Sequence, residues 1–406
     1  MYKKAVFLIL FCVTACGHTG REHAQIIEFV RQGNLTAAQQ LAGKKDFYAD
    51  KPSLLARYFE IGTLHYLNGE YYQALQNFDK AHELSRKLYT KSVSKSVAAQ
   101  IAGDGLAPYT GEKYELSLLR FYQSLTHYKL YEQGYYESYM AQEDGETRVI
   151  ERKELSESEK RLHFNAARAS ILDWNSLLTT FTNESGNKDA FKQDMLAKTW
   201  GAEIHDIYGS SGDRQIARQL YKDARKLLDT AYADYPSYTT KHGERLKQYA
   251  AAKGKDLYAG PDKKENVKII LKTGLITPKI PEKVDIRIPL SAFLFSGSKD
   301  NFVSCLSNIL PGQRISFEIP AVSAPEKAGN YQVVVTTPEG KKAAAKPMVL
   351  TAPVSETAYR EYKNKRGALI AEKSARLTAK YAAAAVSACA VYDPNDAFKW
   401  LAAYAA

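Results

Sequence analysis

The chain has 406 residues, enough for more than one domain, and 45% of them are hydrophobic, which is normal for a globular protein. Lysine and arginine total 56 against 45 aspartate and glutamate, a formal net charge of +11 at pH 7. This excess is modest and spread along the chain, and no recognisable nucleic-acid module accompanies it, so a solvated surface is favoured over a nucleic-acid footprint. The 28 tyrosines are typical of helical arrays that place aromatic rings between stacked helices.

Residues 1–15 predict a lipoprotein signal peptide. Two lysines near the start precede an apolar run over 5–12, and the small residue Ala15 comes directly before Cys16. The apolar run is too short to cross a bilayer as a helix, which takes about 20 residues. The pattern resembles the bacterial lipobox, so we expect Cys16 to be acylated and to become the new N-terminus. The alternative is a plain secretory signal with an incidental cysteine.

The residue after Cys16 indicates which membrane holds the anchor. In bacteria with two membranes an aspartate there usually marks inner-membrane retention, and Gly17 favours the outer membrane, facing the periplasm. Several acyl chains give stable retention. In that oxidising compartment Cys305 and Cys389 either form a disulfide or remain two half-buried thiols, and their spacing does not decide between these outcomes.

The stretch 58–81 predicts one unit of a tetratricopeptide repeat, which is a pair of antiparallel helices. Its large, small and aromatic positions follow the spacing of that repeat: Tyr58, Ile61, Gly62, His65, Gly69, Tyr71, Ala74, Phe78 and Ala81. Gly62 and Ala74 are small where the two helices press together, and Gly69 lies in the turn, where a positive φ suits glycine. The alternative is an ordinary helical hairpin. One helix pair cannot bury its apolar face alone, so other pairs should stack on it.

Residues 16–254 are therefore predicted to form an irregular tetratricopeptide-like α-solenoid. The turn signature recurs at Gly33, Gly134 and Gly212, at intervals that only partly fit a period of about 34 residues. Residues 150–181 are predicted to form one long, charged helix pair. The sequence thus predicts four recognisable helix pairs together with degenerate ones.

Residues 260–354 are predicted to form a small β-sheet domain, antiparallel rather than parallel. A β-branched, apolar run covers 267–272, and alternating apolar residues predict strands around 284–288 and 315–319. Two further apolar runs between 331 and 350 flank a Pro-Glu-Gly turn and predict a hairpin.

Residues 356–406 are predicted to form a basic and alanine-rich helical tail. Lysine and arginine outnumber glutamate along its first part, and apolar residues recur there at helical spacing. Such a helix either lies on a membrane surface or docks on its own β domain with a solvated basic face. The fold class predicted overall is mainly α.

The residues predict no catalytic site. Gly103 and Gly105 lack the third glycine and the preceding strand of a dinucleotide fingerprint. The stretch 209–212 is a turn within a helix pair and lacks the pattern of a serine-hydrolase elbow. His205 and Asp206 are adjacent and do not have the spacing of metal ligands. We therefore expect no enzymatic activity, no metal and no cofactor.

Several of these segments resemble a family of largely uncharacterised bacterial periplasmic lipoproteins with tetratricopeptide-like repeats. The likeness rests on Tyr109-x-Gly111-x-x-Tyr114-Glu115, Gly134-Tyr135-Tyr136, the repeat from Gly212 to Ala224, and Gly274-Leu275-x-x-Pro278-Lys279. It covers most of residues 20–390 and implies an envelope scaffold without catalytic residues. Such families are often encoded beside small lipoproteins similar to activators of cell-wall synthases and to curli-secretion components, which implies partners of those kinds. The chain departs from the family at 396–403, where an arginine and a Leu-Pro pair are missing.

The sequence thus predicts a lipid-anchored envelope scaffold that binds a protein partner through a helical-repeat groove. The first helix of each pair lines the concave face of such an array. Its non-core positions supply seven candidate partner-binding residues: Arg57, His65, Arg120, His127, Tyr131, Glu203 and Asp206. Arg120, His127 and Tyr131 share one helix face, and we expect them to be exposed beside the groove.

Two alternatives to this hypothesis stay open. The chain is either a scaffold of this kind or a cell-wall (peptidoglycan)-associated binding protein or enzyme, which needs a cleft with converging acidic or histidine groups. Within the scaffold hypothesis, residues 22–254 either carry the partner-binding surface, as we predict, or only space the C-terminal region away from the membrane.

Replacing Cys16 tests the lipid anchor. Cys16→Ser removes the thiol that would be acylated, so we expect the variant to incorporate no labelled fatty acid and to remain soluble or uncleaved. Cys12→Ser, inside the apolar run, is the control and should label as the wild type does. Equal fatty-acid labelling of Cys16→Ser and the wild type would contradict the anchor.

Overall fold

A computed structural model describes residues 18–44, 47–48, 53–94, 108–143, 146–185, 193–255, 268–274, 279–287 and 314–390. These residues form ten helices and four two-stranded antiparallel sheets, so the predicted mainly α class is confirmed. The helices are α1 (His18–Arg31), α2 (Leu35–Ala42), α3 (Leu54–Leu67), α4 (Tyr71–Ser94), α5 (Lys113–Gln133), α6 (Glu157–Ser185), α7 (Met195–Tyr208), α8 (Ser211–Asp229), α9 (Lys241–Gly254) and α10 (Val354–Ala390). The strands are β1 (Tyr135–Tyr136), β2 (Tyr139–Glu143), β3 (Glu146–Ile150), β4 (Lys153–Glu154), β5 (Lys279–Arg287), β6 (Arg314–Val322), β7 (Gln332–Thr336) and β8 (Lys342–Pro347). The predicted signal peptide and Cys16 lie outside the described residues.

The chain divides into two compact units. The first contains helices α1 to α9, strands β1 to β4 and the later segment Ala328–Pro353, which carries the hairpin of β7 and β8. The second contains β5, β6 and α10. The region 260–354, predicted as one β domain, therefore contributes one hairpin to each unit.

Helices α3 and α4 form the hairpin predicted from the repeat motif. A Cβ atom added at Gly62 would lie 2.7 Å from the ring of Phe78 and 3.3 Å from the carbonyl oxygen of Ala74. Ala74 and Phe78 are completely buried. Gly69 lies between the helices with a φ of +82°, a conformation that favours glycine. The two small residues therefore stand at the close approach that the sequence predicts.

The helices of the first unit pack in chain order. Each of α1 to α8 contacts the helix that follows it, and α5 contacts α3 and α7 in addition. In the turn between α7 and α8 the glycine with positive φ is Gly209, at +76°. Gly212, predicted in that turn, lies inside α8, because the Ser210 hydroxyl accepts a hydrogen bond from the backbone N–H of Asp213 and starts the helix earlier.

The connection between α5 and α6 differs from the predicted helix-pair turn. Gly134 ends α5 with a φ of +76°, but two antiparallel ladders follow it, β1 with β4 and β2 with β3. The strands contain Tyr135, Tyr136 and Tyr139 together with Val149 and Ile150, residue types that favour strands. The helix pair predicted over 150–181 was wrong, because β3 extends to Ile150 and α6 is one helix of 29 residues.

This β-ribbon, residues 135–154, is held to the helices at its base. A carboxylate oxygen of Glu137 accepts hydrogen bonds from the backbone N–H groups of Tyr72 (2.7 Å) and Gln73 (3.1 Å) at the start of α4. The rings of Tyr72 and Tyr136 stack with their centroids 4.1 Å apart. A two-stranded ribbon is marginally stable alone, so these contacts stabilise it.

Two serines on α5 join the three central helices. The indole N–H of Trp174 on α6 donates to the Ser117 hydroxyl (2.5 Å), and Ser117 donates to the carboxylate of Asp194, which begins α7. The indole N–H of Trp200 on α7 donates to the Ser124 hydroxyl (2.9 Å), which donates in turn to a backbone carbonyl of α6. Both serines and both tryptophans are buried.

In the second unit α10 docks on the β5–β6 hairpin. Glu282 of β5 accepts hydrogen bonds from the Tyr362 hydroxyl and from Arg366, and the Lys373 ammonium donates to the backbone carbonyl of Glu318 (2.8 Å). This matches the second of the two expectations for the basic tail. Cys389 forms a disulfide, and the other three cysteines of the chain, including Cys305, lie outside the described residues. Among the described helices, none is both long and apolar enough to cross a membrane.

Ala74→Trp tests the packing of α3 on α4. Because Ala74 is completely buried beside the other helix, we expect overpacking to lower the free energy of unfolding by about 1–3 kcal/mol or more. Ala169→Trp is the control, since Ala169 is exposed on α6 and should tolerate the same side chain. Thermal melts that show equal midpoints for the two variants would mean that the assigned packing is wrong.

Candidate partner-binding site

Arg57 and His65 form polar contacts between α3 and the segments that precede and follow it. The Arg57 guanidinium donates to the backbone carbonyl of Phe47 (2.5 Å). Nδ1 of His65 lies 2.6 Å from a carboxylate oxygen of Glu70, which also accepts a hydrogen bond from Gln39 of α2 (2.6 Å). Both predicted residues therefore make contacts that join α3 to the segments around it.

Arg120 is buried inside the first unit, so the expectation that it is exposed beside a groove was wrong. Arg120 is 3% exposed, and its Nε lies 2.5 Å from a carboxylate oxygen of Asp173 on α6. The reason is that α5 contacts α3, α4, α6 and α7 and has few open positions. Burial lowers the pKa of Arg120, and burial together with the nearby Arg120 charge lowers the pKa of His82 to about 4.

His127 and Tyr131 are partly buried and contact side chains of α6. Nδ1 of His127 lies 3.0 Å from Nδ1 of His163, whose Nε2 lies 2.8 Å from the Tyr136 hydroxyl. Burial lowers the pKa of His127 to about 3 and also lowers that of His163. The Tyr131 ring stacks on Phe164 with centroids 4.6 Å apart. The two predicted residues therefore belong to the packing between α5 and α6.

Glu203 and Asp206 are the predicted residues that the structure brings together. They lie one turn apart on α7 and contact α9, where the Tyr249 hydroxyl donates to Glu203 and the Lys253 ammonium lies 3.6 Å from Asp206. The second carboxylate oxygen of Glu203 forms an ion pair with Lys268. We call these five residues the α7–α9 site. Glu203 is 8% exposed, so its charge is almost completely removed from water.

Lys268 reaches the α7–α9 site from outside the helices. Residues 268–273 have no regular secondary structure, although the apolar run at 267–272 suggested a strand. The next side chains along the segment, Ile269 and Ile270, are exposed. Burial lowers the pKa of the Lys268 ammonium to about 8, while the Glu203 carboxylate favours its charged form. The amine therefore remains mostly protonated at neutral pH.

Both ends of α7 are fixed, which orients the α7–α9 site. At the first end the Asp194 carboxylate accepts a hydrogen bond from the backbone N–H of Leu196 (2.8 Å). At the other end Asp213 of α8 accepts hydrogen bonds from Nδ1 of His205 and Nε of Arg168, each at 2.6 Å. His205 thus connects its helix to α8, and the adjacent Asp206 is left to face α9.

Sequence reasoning found two of the five residues of the α7–α9 site. Tyr249 and Lys253 lie four residues apart on α9, a spacing that places them on one helix face. Nothing in the sequence indicates that this face meets α7. Lys268 is one lysine among several in its segment, and only its contact with Glu203 distinguishes it.

No protein-family model, curated protein or solved structure matches this chain. Within the described ranges no group of three or more histidine, cysteine, aspartate and glutamate side chains is placed to hold a metal ion. The chemistry available at the α7–α9 site is the recognition of a cation by a buried carboxylate that a phenol hydroxyl orients.

Asp213→Asn tests the link that fixes the end of α7. Burial alone would raise the pKa of Asp213, but hydrogen bonds from Ser210 and His205 and the charge of Arg168 hold it below its ordinary value. The stability that this carboxylate contributes is therefore fully present above the ordinary pKa of about 3.9 and is lost as the pH falls below it. We expect the variant to lose about 1.5–3 kcal/mol of unfolding free energy at pH 7, measured with urea.

The difference between Asp213→Asn and the wild type should shrink as the pH falls from about 5 to 3. Asp223→Asn on the same helix is the control, because Asp223 is half-buried, lies 3.3 Å from Lys198, accepts one exposed hydrogen bond from Gln219 (2.9 Å) and should change stability by about 1 kcal/mol or less. A deficit in Asp213→Asn that stays constant down to pH 3 would contradict the role assigned to its charge.

Proposed function

We propose that this protein is a lipid-anchored scaffold of the cell envelope that binds a protein partner on its helical repeat, and that it acts by binding and not by catalysis. The anchor is Cys16, and the proposed location is the outer membrane, facing the periplasm. The proposed partner is another envelope protein, such as a small lipoprotein or a component of cell-wall synthesis or secretion. Nucleic acid and cofactors have no part in this function.

The order of the helix contacts supports an irregular tetratricopeptide-like solenoid over α1 to α9. Each helix packs on the next one along the chain, and among the first helices of successive pairs α5 also contacts α3 and α7. Stacked repeats contact mainly their neighbours in this way and leave an extended surface for a ligand. The close approach at Gly62 supplies the small residue that such helix pairs need.

The observation that carries the proposal is the extended segment that begins at Lys268. A stretch without helix or strand contacts a first helix, α7, through the side chain of Lys268, which pairs with the same Glu203 carboxylate that Tyr249 of α9 binds. A helical surface that holds an extended stretch of its own chain has the shape and charge to hold a stretch of another. The proposed binding surface therefore keeps Glu203 and Asp206 from the sequence prediction and adds Tyr249 and Lys253.

Two matched positions for a photo-crosslinking amino acid test this surface. Ile207 follows Asp206 on α7 and is 39% exposed, and Ile216 on α8 is 40% exposed. We expect the crosslinker at Ile207 of the full chain to join one envelope protein, identified by mass spectrometry, because this position borders the α7–α9 site. The crosslinker at Ile216 should not give that product.

Equal capture of the same protein at Ile207 and Ile216 would contradict the proposed surface. Ile280 on β5, which is 46% exposed, provides a third position in the second unit. Capture of the partner at Ile280 and at neither helix position would support the alternative in which the helical body is only a spacer.

A further inference from the structure

The Glu203 carboxylate requires a cation beside it. It is 8% exposed and belongs to a helix whose two ends are fixed by hydrogen bonds, so its backbone position is set within the first unit. A buried carboxylate without a positive partner is strongly unfavourable. The Tyr249 hydroxyl donates one hydrogen bond but brings no charge. The site is therefore stable only when an amine or another cation occupies the position that Lys268 holds.

Lys268 is the present occupant of the position beside Glu203. Lys268 reaches Glu203 with a side chain that is 32% exposed, and Ile269 and Ile270, which follow it, are exposed. The segment 268–273 has no strand partner along its backbone. The ion pair between Lys268 and Glu203 is the contact that a competing cation would replace.

The geometry of the α7–α9 site favours lysine over arginine. The Tyr249 hydroxyl occupies one oxygen of the Glu203 carboxylate and leaves the other for the cation. A guanidinium binds a carboxylate best through two parallel hydrogen bonds, one to each oxygen. An ammonium is a compact charge that needs one oxygen. A site with one free oxygen therefore selects the smaller cation.

We propose that the α7–α9 site is a lysine-binding pocket which the chain itself occupies, and that the partner binds by placing a lysine of an extended segment where Lys268 now lies. This inference rests on the scaffold function proposed above and assigns the chemistry of the partner. The partner is a protein segment with an accessible lysine and an extended backbone. Its binding releases Lys268 from Glu203.

A peptide-binding measurement on the full chain tests the pocket. The probe is a fluorescent peptide with the sequence of residues 266–271, which contains one lysine. A lysine tethered in the same chain competes at an effective concentration on the order of millimolar. We therefore expect Lys268→Ala, which empties the pocket, to bind the peptide about tenfold or more tightly than the wild type in fluorescence anisotropy. Lys226→Ala, which changes an exposed lysine on α8, should bind as the wild type does.

Variants of the peptide and of the pocket test whether binding requires the lysine ammonium and the Glu203 carboxylate. On the Lys268→Ala chain the peptide with arginine in place of its lysine should bind about tenfold more weakly, and the peptide with glutamine should not bind. Glu203→Gln combined with Lys268→Ala should abolish binding. Equal binding of the lysine and glutamine peptides, or no gain in Lys268→Ala over the wild type, would overturn the proposal.

A measurement on the wild-type chain avoids any folding defect of the variants. Acetic anhydride should modify Lys268 more slowly than the exposed Lys226 of α8, and an excess of the lysine peptide should accelerate modification of Lys268. An unchanged rate at saturating peptide would overturn the proposal. A partner captured at Ile207 while no peptide binds would overturn the lysine pocket and leave the scaffold in place. Peptide binding without capture at Ile207 would support the pocket and contradict the scaffold.

Discussion

Two hydroxyl groups on α5 hold the first unit together. Ser117 and Ser124 accept hydrogen bonds from the indoles of Trp174 and Trp200, respectively. The Ser117 hydroxyl donates to the Asp194 carboxylate at the start of α7, and the Ser124 hydroxyl donates to a backbone carbonyl of α6. Hydrogen bonds buried in a low-dielectric interior are strong, and losing one partner leaves the other unsatisfied. The start of α7 at Asp194 depends directly on Ser117, so the position of Glu203 farther along that helix depends on it as well.

The sequence predicts best where a local rule decides the structure. The spacing of Gly62, Gly69, Ala74 and Phe78 predicts the α3–α4 hairpin, because two helices can approach closely only where side chains are small. The turn before α8 shows the limit of such rules. Gly209 and Gly212 fit a turn signature equally well, and the Ser210 hydroxyl, through its hydrogen bond to Asp213, determines which of them lies outside the helix.

The β-ribbon could not be predicted from its own residues. Gly134 and the tyrosines after it fit the start of a second helix as well as the start of a strand, and a short run has no periodicity to separate them. The contact that holds the ribbon in place joins Glu137 to Tyr72, 65 positions earlier in the chain. A pattern within a short stretch of the sequence does not predict a contact between residues that far apart in the chain.

In the candidate site, too, local spacing predicts which residues share a helix face and does not predict which distant residues contact them. Helical spacing correctly places Arg120, His127 and Tyr131 on one face, but it does not say which faces other helices cover, and α5 is surrounded by four of them. Glu203 and Asp206 meet α9 because the chain adds one more helix after α8. The sequence predicts those two residues and misses Lys268, whose role depends on a contact that no periodicity describes.

The facing imidazoles of His127 and His163 can share only one hydrogen between their Nδ1 atoms. With the two nitrogens 3.0 Å apart, one ring must donate while the other accepts, and a second proton would set two N–H groups against each other. Burial lowers the pKa of both rings, that of His127 to about 3. His127 therefore stays neutral in the mildly acidic range where a solvated histidine becomes charged, and it adds no positive charge to the contact between α5 and α6 under those conditions.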